Sequence, residues 1–302
     1  MTIKAAAMAM LLAACAAAPQ RESMTADASE TPPPAILLQT PGVDRNIGLR
    51  MQVDAWRRPV EPFTILGNVH YVGAEGVSAF LITTPQGHIL LDGGVAEMAA
   101  PIAANIAALG HDVRNVRYLL NSHAHFDHAG GLAALQMQTG ATFVASEADR
   151  ATLESGHIGY GPAAEIDFAP IRVDRVIADG ETIELGGVRM TAHMTPGHTR
   201  GCTSWRTVTR DAHGAERSVF FHCSATVAGQ SLAPEAYPGI VADFRRSFTE
   251  IVPAITADVF LSNHGQFFDL AGKRARQRAG DANAFVDPGE LQRFNATMQA
   301  AF

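Results

Sequence analysis

Positive charge is in the minority in the 302-residue chain, where 23 basic against 30 acidic residues leave a formal net charge of -7. A nucleic-acid binder neutralises phosphates with clustered cations, so this class is excluded as the natural reading. Long apolar runs are also missing. The longest near the N-terminus covers residues 5–14, about half of the ~20 residues that a membrane-spanning helix requires. Cysteine is scarce, with only Cys15, Cys202 and Cys223, so the region after 223 can carry no disulfide of its own. No internal repeat is visible, and no linker-like stretch follows Trp56, which leaves a single domain over residues 56–302. A composition of 47% hydrophobic and 18% charged residues gives that domain enough material for a substantial core.

The N-terminal segment has the marks of export. Lys4 precedes the apolar run, and Leu12-Ala13-Ala14-Cys15 fits the lipoprotein pattern, in which the cysteine becomes the lipidated first residue. Cleavage after Ala16-Ala17-Ala18 is the alternative. Residues 1–18 read as the export signal, removed up to Ala14 in the first case, where Cys15 carries a lipid anchor, and up to Ala18 in the second, and the expected destination is a bacterial periplasm. Residues 19–55 form a tether and N-terminal segment. Residues 21–34 of it are polar and include Pro32-Pro33-Pro34, the composition of a flexible linker.

The most informative stretch is Asn121-Ser122-His123-Ala124-His125-Phe126-Asp127-His128-Ala129-Gly130-Gly131, just after an apolar strand. Three imidazoles and a carboxylate within six residues form a ligand set that suits zinc. Two further histidines occupy similar settings. His198 lies in Thr195-Pro196-Gly197-His198-Thr199, and His264 in Ser262-Asn263-His264-Gly265, each in a loop that follows an apolar run. Ligands on loops at strand ends can converge while the sheets hold them rigid. The histidines at 70, 88, 111, 157, 193, 213 and 222 have no comparable partners and read as structural or surface residues.

With these motifs the chain resembles the metallo-β-lactamase superfamily and, within it, subclass B3 of the class B β-lactamases, over roughly residues 56–302. The resemblance extends to Pro62-Phe63, Asn68-Val69-His70-Tyr71-Val72-Gly73, Leu90-Leu91-Asp92-Gly93-Gly94, Gly201, Trp205, and Tyr237-Pro238-Gly239-Ile240 followed by Asp243-Phe244-Arg245. It implies an αβ/βα sandwich, two mixed sheets face to face with helices outside. It further implies two Zn2+ per chain, the first held by His123, His125 and His198, the second by Asp127, His128 and His264, with Asp92 steadying the ligand loop. The implied activity is hydrolysis of the β-lactam amide by a metal-held hydroxide, which Asp127 ties to the second zinc. The implied partner is a small-molecule β-lactam antibiotic, and a monomer is expected.

Many superfamily hydrolases carry a metal-bridging aspartate in the fourth motif, whereas this chain has Phe221-His222-Cys223-Ser224-Ala225-Thr226, with no carboxylate. Alignment with subclass B3 places Ser224 near the second metal and Thr226 where a hydroxyl meets the substrate carboxylate. Cys223 then falls outside the ligand set, and a Cys202–Cys223 disulfide is expected in an oxidising compartment. A lactonase or other ester hydrolase is the alternative enzyme. A metal-binding lipoprotein without turnover is the alternative from another class.

Periodicity predicts strands over residues 63–72, 79–84, 88–92, 116–121, 142–145, 182–185, 188–194, 203–208, 219–221 and 259–261. Helices are predicted over 96–109, 131–138, 147–154, 244–255 and from 288 onward, the one after Asp127 beginning near Gly130. Trp56 and Phe63 are candidates either for the cleft mouth or for the core.

Overall fold

The computed structural model describes residues 54–302. The export signal, Cys15 and most of the tether lie outside the described residues. Two sheets carry the fold. The first has seven strands in sequential order: β1 (Phe63–Leu66), β2 (Val69–Tyr71), β3 (Phe80–Thr84), β4 (Gly87–Leu91), β5 (Val116–Leu120), β6 (Thr142–Ser146) and β7 (Arg175–Ile177). β1 to β4 pair antiparallel, and β4 to β7 pair parallel. The second sheet runs β12 (Val259–Ser262), β11 (Glu216–His222), β10 (Thr203–Arg210), β9 (Val188–Met194) and β8 (Thr182–Leu185), antiparallel except for β11 with β12.

Alternation along the strands builds two apolar layers. Leu120 and Val144 face the space between the sheets with Ile82, Leu91, Trp205, Phe221 and Leu261. Their neighbours Leu119 and Phe143 face outward, under α1 (Ala99–Ala108), α3 (Leu132–Thr139) and α4 (Glu147–Ser155), against Ile102, Leu135 and Leu153. A strand stretch buried on both faces must be apolar at successive positions, as β5 is at Leu119 and Leu120. The two mixed sheets with flanking helices are the αβ/βα sandwich that the sequence led us to expect.

Several elements differ from the sequence reading. Residues 63–72 form two antiparallel strands rather than one, because the chain reverses at Gly67, whose φ of +54° is left-handed. The helix expected over 131–138 is present as α3, but a separate one-turn helix, α2 (Phe126–Ala129), precedes it inside the histidine motif and carries Asp127 and His128 itself. The helix predicted over 244–255 begins at Ile240 as α5 (Ile240–Arg246), widens into a π-helix over Ser247–Ile251 and tightens to a 3-10 turn at Val252–Ala254, where Pro253 removes a backbone donor. Strand β7 and helix α6 (Leu270–Arg278) had no apolar periodicity to reveal them, and α7 (Glu290–Ala301) closes the chain.

The two Gly-Gly pairs explain how β4 and α3 come so close. A Cβ at Gly131 would sit 2.2 Å from the Gly93 carbonyl oxygen, and one at Gly93 would sit 2.8 Å from the Leu132 nitrogen. Backbone therefore touches backbone beside the ligand loop. Gly131→Ala is expected to lose about 1–3 kcal/mol through this overlap, read as a fall in urea midpoint at unchanged slope. An unchanged midpoint would contradict the close approach.

Candidate metal centre

The histidine motif sits where the parallel strands β4 and β5 end, with the ends of β9 and β12 of the other sheet delivering His198 and His264. Asp92 follows β4 in a left-handed conformation, φ +64°, which a short polar side chain tolerates better than most. From there its carboxylate accepts from the Ser122 N–H at 2.7 Å, the Ser122 hydroxyl at 2.7 Å and the Asn121 amide at 3.2 Å. Its second oxygen lies 3.3 Å from His128 Nδ1. Across the interface the Trp205 indole donates to the Asn121 carbonyl at 3.1 Å, which ties the second sheet to the same loop.

All six residues proposed as ligands meet at this rim. His123, His125 and His198 bring ligand atoms within 4.8 Å of one another, and so do His123, Asp127 and His128. His264 Nε2 lies 3.4 Å from His128 Nε2 and 3.5 Å from the nearer Asp127 oxygen. Every one of the six is buried or nearly so.

The orientation of each ring is set from behind. His198 Nδ1 donates to the Thr226 carbonyl at 2.7 Å, and His264 Nδ1 to the Gly76 carbonyl at 2.8 Å, which leaves each Nε2 with its lone pair toward the cluster. His123 Nδ1 lies 3.0 Å from the Ser122 hydroxyl, and its Nε2 is buried with no partner among the described residues. Such an orphaned acceptor costs about 1–3 kcal/mol unless something fills the site.

Burial, reinforced by neighbouring imidazoles, holds His123 far below the usual histidine range and takes His125 down to about 3 and His198 and His264 to about 4. These four rings are neutral at physiological pH and have lone pairs to give. Burial alone would raise Asp127 and lower His128, but their mutual attraction outweighs it, so Asp127 stays ionised and His128 is raised. Neutral imidazoles and a carboxylate crowded in a buried rim fit a divalent cation of the zinc type, whose bonds to nitrogen run about 2.0–2.1 Å.

Ser224 and Thr226 follow β11 at the edge of this cluster. Their hydroxyls are 3.4 Å apart, and the Thr226 hydroxyl is 3.4 Å from His198 Nδ1. Cys223 and Cys202 are joined as a disulfide with Cα atoms 5.8 Å apart. Cys223 Sγ approaches His123 on its Nδ1 side, at 3.6 Å, away from the open Nε2. An oxidised sulfur is no thiolate, so this pair backs the ligand loop and does not join the ligand set. Trp56 lies over the rim, its ring 5.7 Å from that of His264, whereas Phe63 is packed in the core against Tyr71 and Phe285.

Sequence reading missed other residues that shape the site. Asn263 places its amide 3.3 Å from His128 Nε2, and Gln230 donates to the His198 carbonyl at 2.7 Å. Asp149, near the start of α4, accepts from both ligand loops and is 3% exposed. Its only sequence signal is the Ser146-x-x-Asp149 spacing of a helix cap, which marks a helix start and gives no hint of a link to the ligands.

Comparisons with known proteins agree with this geometry. The sequence pattern described as the Metallo-beta-lactamase superfamily matches residues 72–210. BJP-1, a subclass B3 metallo-beta-lactamase of Bradyrhizobium japonicum, is 38% identical, with 83% of this chain and 95% of that one aligned at a TM-score of 0.79. Native FEZ-1, a metallo-beta-lactamase of Legionella gormanii, is 36% identical over 81% and 94% at 0.77. Among curated sequences, a probable metallo-hydrolase of Burkholderia pseudomallei (strain 1710b) is 34% identical, over 39% of this chain and 38% of its own length. The hydroxyacylglutathione hydrolase of Hyphomonas neptunium is 37% identical over 27% and 25%. The chain thus spans well under half the length of these curated relatives, while it spans nearly all of the solved lactamases.

Cys223→Ala should remove the closure of the 21-residue separation between the cysteines, worth about 3 kcal/mol by chain entropy. We expect a lower thermal midpoint at unchanged zinc content, by metal analysis of the folded variant, and zinc loss without destabilisation would mark Cys223 as a ligand. Taken together, the buried ligand cluster, the two-sheet architecture and the nearly full-length similarity to solved relatives place this chain in the metallo-β-lactamase superfamily of hydrolases.

Proposed function

We propose that the protein is an exported zinc-dependent β-lactamase. The observation that carries this reading is the convergence of two ligand groups, His123, His125 and His198 beside Asp127, His128 and His264, at the rim of a fold whose solved relatives over nearly their full length are metallo-β-lactamases. His123, His125 and His198 would hold one zinc ion, and Asp127, His128 and His264 a second. When bound, zinc supplies Lewis acidity toward a carbonyl and lowers the pKa of water toward about 7.

The chain's own residues divide the remaining work. Three neutral imidazoles keep the first group uncharged, so the cation there retains its full pull on a carbonyl oxygen. Asp127 is the one carboxylate of the proposed ligand set, and its oxygen beside His128 and His264 can take a proton and pass it on. The Thr226 hydroxyl lies beside His198 with the Ser224 hydroxyl 3.4 Å from it, and the pair is suited to receive a substrate carboxylate. Neither residue is a nucleophile, and the reading needs none.

Absence of a carboxylate over residues 221–226, together with the exported leader, favours a β-lactam over a thioester of the hydroxyacylglutathione kind. The leader and Cys15 direct the chain to the periplasm, either lipid-anchored or soluble. Among the described residues no helix is long and apolar enough to cross a membrane.

Purified mature protein should hydrolyse a chromogenic cephalosporin, lose that activity to a chelator and regain it with zinc. Cleavage of a lactone panel with no β-lactam turnover would favour the ester-hydrolase reading, and metal uptake without turnover the non-catalytic one. His264→Ala should lose the second metal and reduce turnover by at least about tenfold while the first metal stays. Wild-type turnover in that variant would remove His264 from the assignment.

A further inference from the structure

Two separate loops supply the three histidines of the first group. His123 and His125 come from the loop after β5, His198 from the loop between β9 and β10. Strand pairing alone does not fix the gap between them, because the two loops belong to different sheets. The Thr203 N–H bonds the Ser122 carbonyl at 2.7 Å and the Trp205 indole bonds the Asn121 carbonyl, but the bridge that reaches the residues directly beside the histidines is Asp149, a residue of α4 that hydrogen-bonds no ligand side chain.

One Asp149 oxygen, Oδ2, accepts from the Ala124 N–H at 3.0 Å and from the Thr199 hydroxyl at 3.0 Å. Ala124 stands between His123 and His125, and Thr199 directly follows His198. The other oxygen, Oδ1, accepts from the Gly201 N–H at 3.0 Å. Ser146, which caps the same helix by accepting from the Asp149 N–H at 3.3 Å, donates its hydroxyl to the Gly201 carbonyl at 2.8 Å. The loop rests so closely on this pair that a Cβ at Gly201 would lie 2.2 Å from Ser146 Oγ and 2.5 Å from Asp149 Cγ. A carboxylate, unlike an amide, offers acceptors at both ends, and all three donors aimed at it need one. Its place in the first turn of α4 works for its negative charge against burial, which raises the carboxyl to about 6.

We propose that Asp149 is a positioning residue that sets the spacing of His123, His125 and His198, and hence the affinity and geometry of the first metal site. This rests on the ligand assignment above. Asn at 149 keeps an acceptor at one end only and turns an N–H toward a donor at the other. Thr199→Val removes a single leg while keeping the side-chain shape, and Thr199→Ser retains the hydroxyl.

The test is metal release measured without substrate. Zinc-loaded wild type, Asp149→Asn, Thr199→Val and Thr199→Ser are mixed with excess chelator well below their melting temperatures. The visible spectrum of each protein with cobalt in the first site is recorded alongside. Release from the first site should be about tenfold faster in Asp149→Asn and several-fold faster in Thr199→Val, with altered cobalt bands, while Thr199→Ser matches wild type and second-site release stays unchanged.

A generally weakened fold would instead speed both sites alike and leave the bands in place, and that result would overturn the proposal. Wild-type first-site release in Asp149→Asn would do the same. Should Asp149→Asn not fold, unchanged release in Thr199→Val overturns it. A wild type that binds metal but spares β-lactams would end the proposed function and leave this anchor intact.

Discussion

Five imidazoles and a carboxylate packed into one water-poor rim are a constraint that the rest of the molecule has to accommodate. Each neutral ring buried there gives up its hydration, and His123 Nε2 finds no partner among the described residues in return. Protonation does not relieve this, since burial and the neighbouring rings hold His123, His125, His198 and His264 neutral. Only a cation can use so many convergent lone pairs at once. The site is therefore a local sacrifice of stability that the two apolar layers elsewhere must offset, and metal binding returns part of it as folding free energy.

Rigidity at that rim comes from carboxylates outside the proposed ligand set. Asp92 gathers the loop after β5 through Asn121 and Ser122 and reaches His128, while Asp149 gathers that loop and the His198 loop. Both are buried, and both are made tolerable by N–H and O–H donors. Backbone carbonyls complete the scheme: Thr226 and Gly76 fix the tautomers of His198 and His264. The sheets supply fixed strand ends, and these short polar links convert strand ends into ligand positions.

The ligand cluster was legible in sequence because its chemistry is dense: four donors in six residues, then two more histidines after apolar runs. Strands β8 and β9 were equally legible, since both show alternation closed by glycine turns. What escaped was anything decided across the sheets. The spacing of Ser146 and Asp149 reads as a helix cap whether or not its carboxylate touches a loop more than fifty positions away. Helix α2 was hidden because one turn gives no periodicity, and residues 63–72 looked continuous because the reversal at Gly67 leaves apolar residues on both arms. The π-helical turn at Ser247–Ile251 follows from packing around Phe248 and Asn295, whose amide donates to the Phe248 carbonyl, an interaction no local pattern encodes.

Charge gives the last link between this site and its proposed substrate. The six proposed ligands bring a single negative charge, that of Asp127, where a fourth-motif aspartate would have added a second. Two divalent cations held by this set would leave the rim with a net positive charge, confined in a low-dielectric wall where it acts strongly. Ser224 and Thr226 stand at that position instead, adding hydrogen-bonding capacity without cancelling charge. A small anion that presents a carboxylate beside a strained amide is drawn to such a rim by field and held by hydroxyls. A site with a bridging carboxylate would give up part of that attraction in exchange for a tighter grip on its metals. On the proposed reading, the exchange of one acidic residue for two hydroxyls shifts work from holding the metals to holding the substrate. The buried carboxylates behind the loops then carry more of the metal-holding burden.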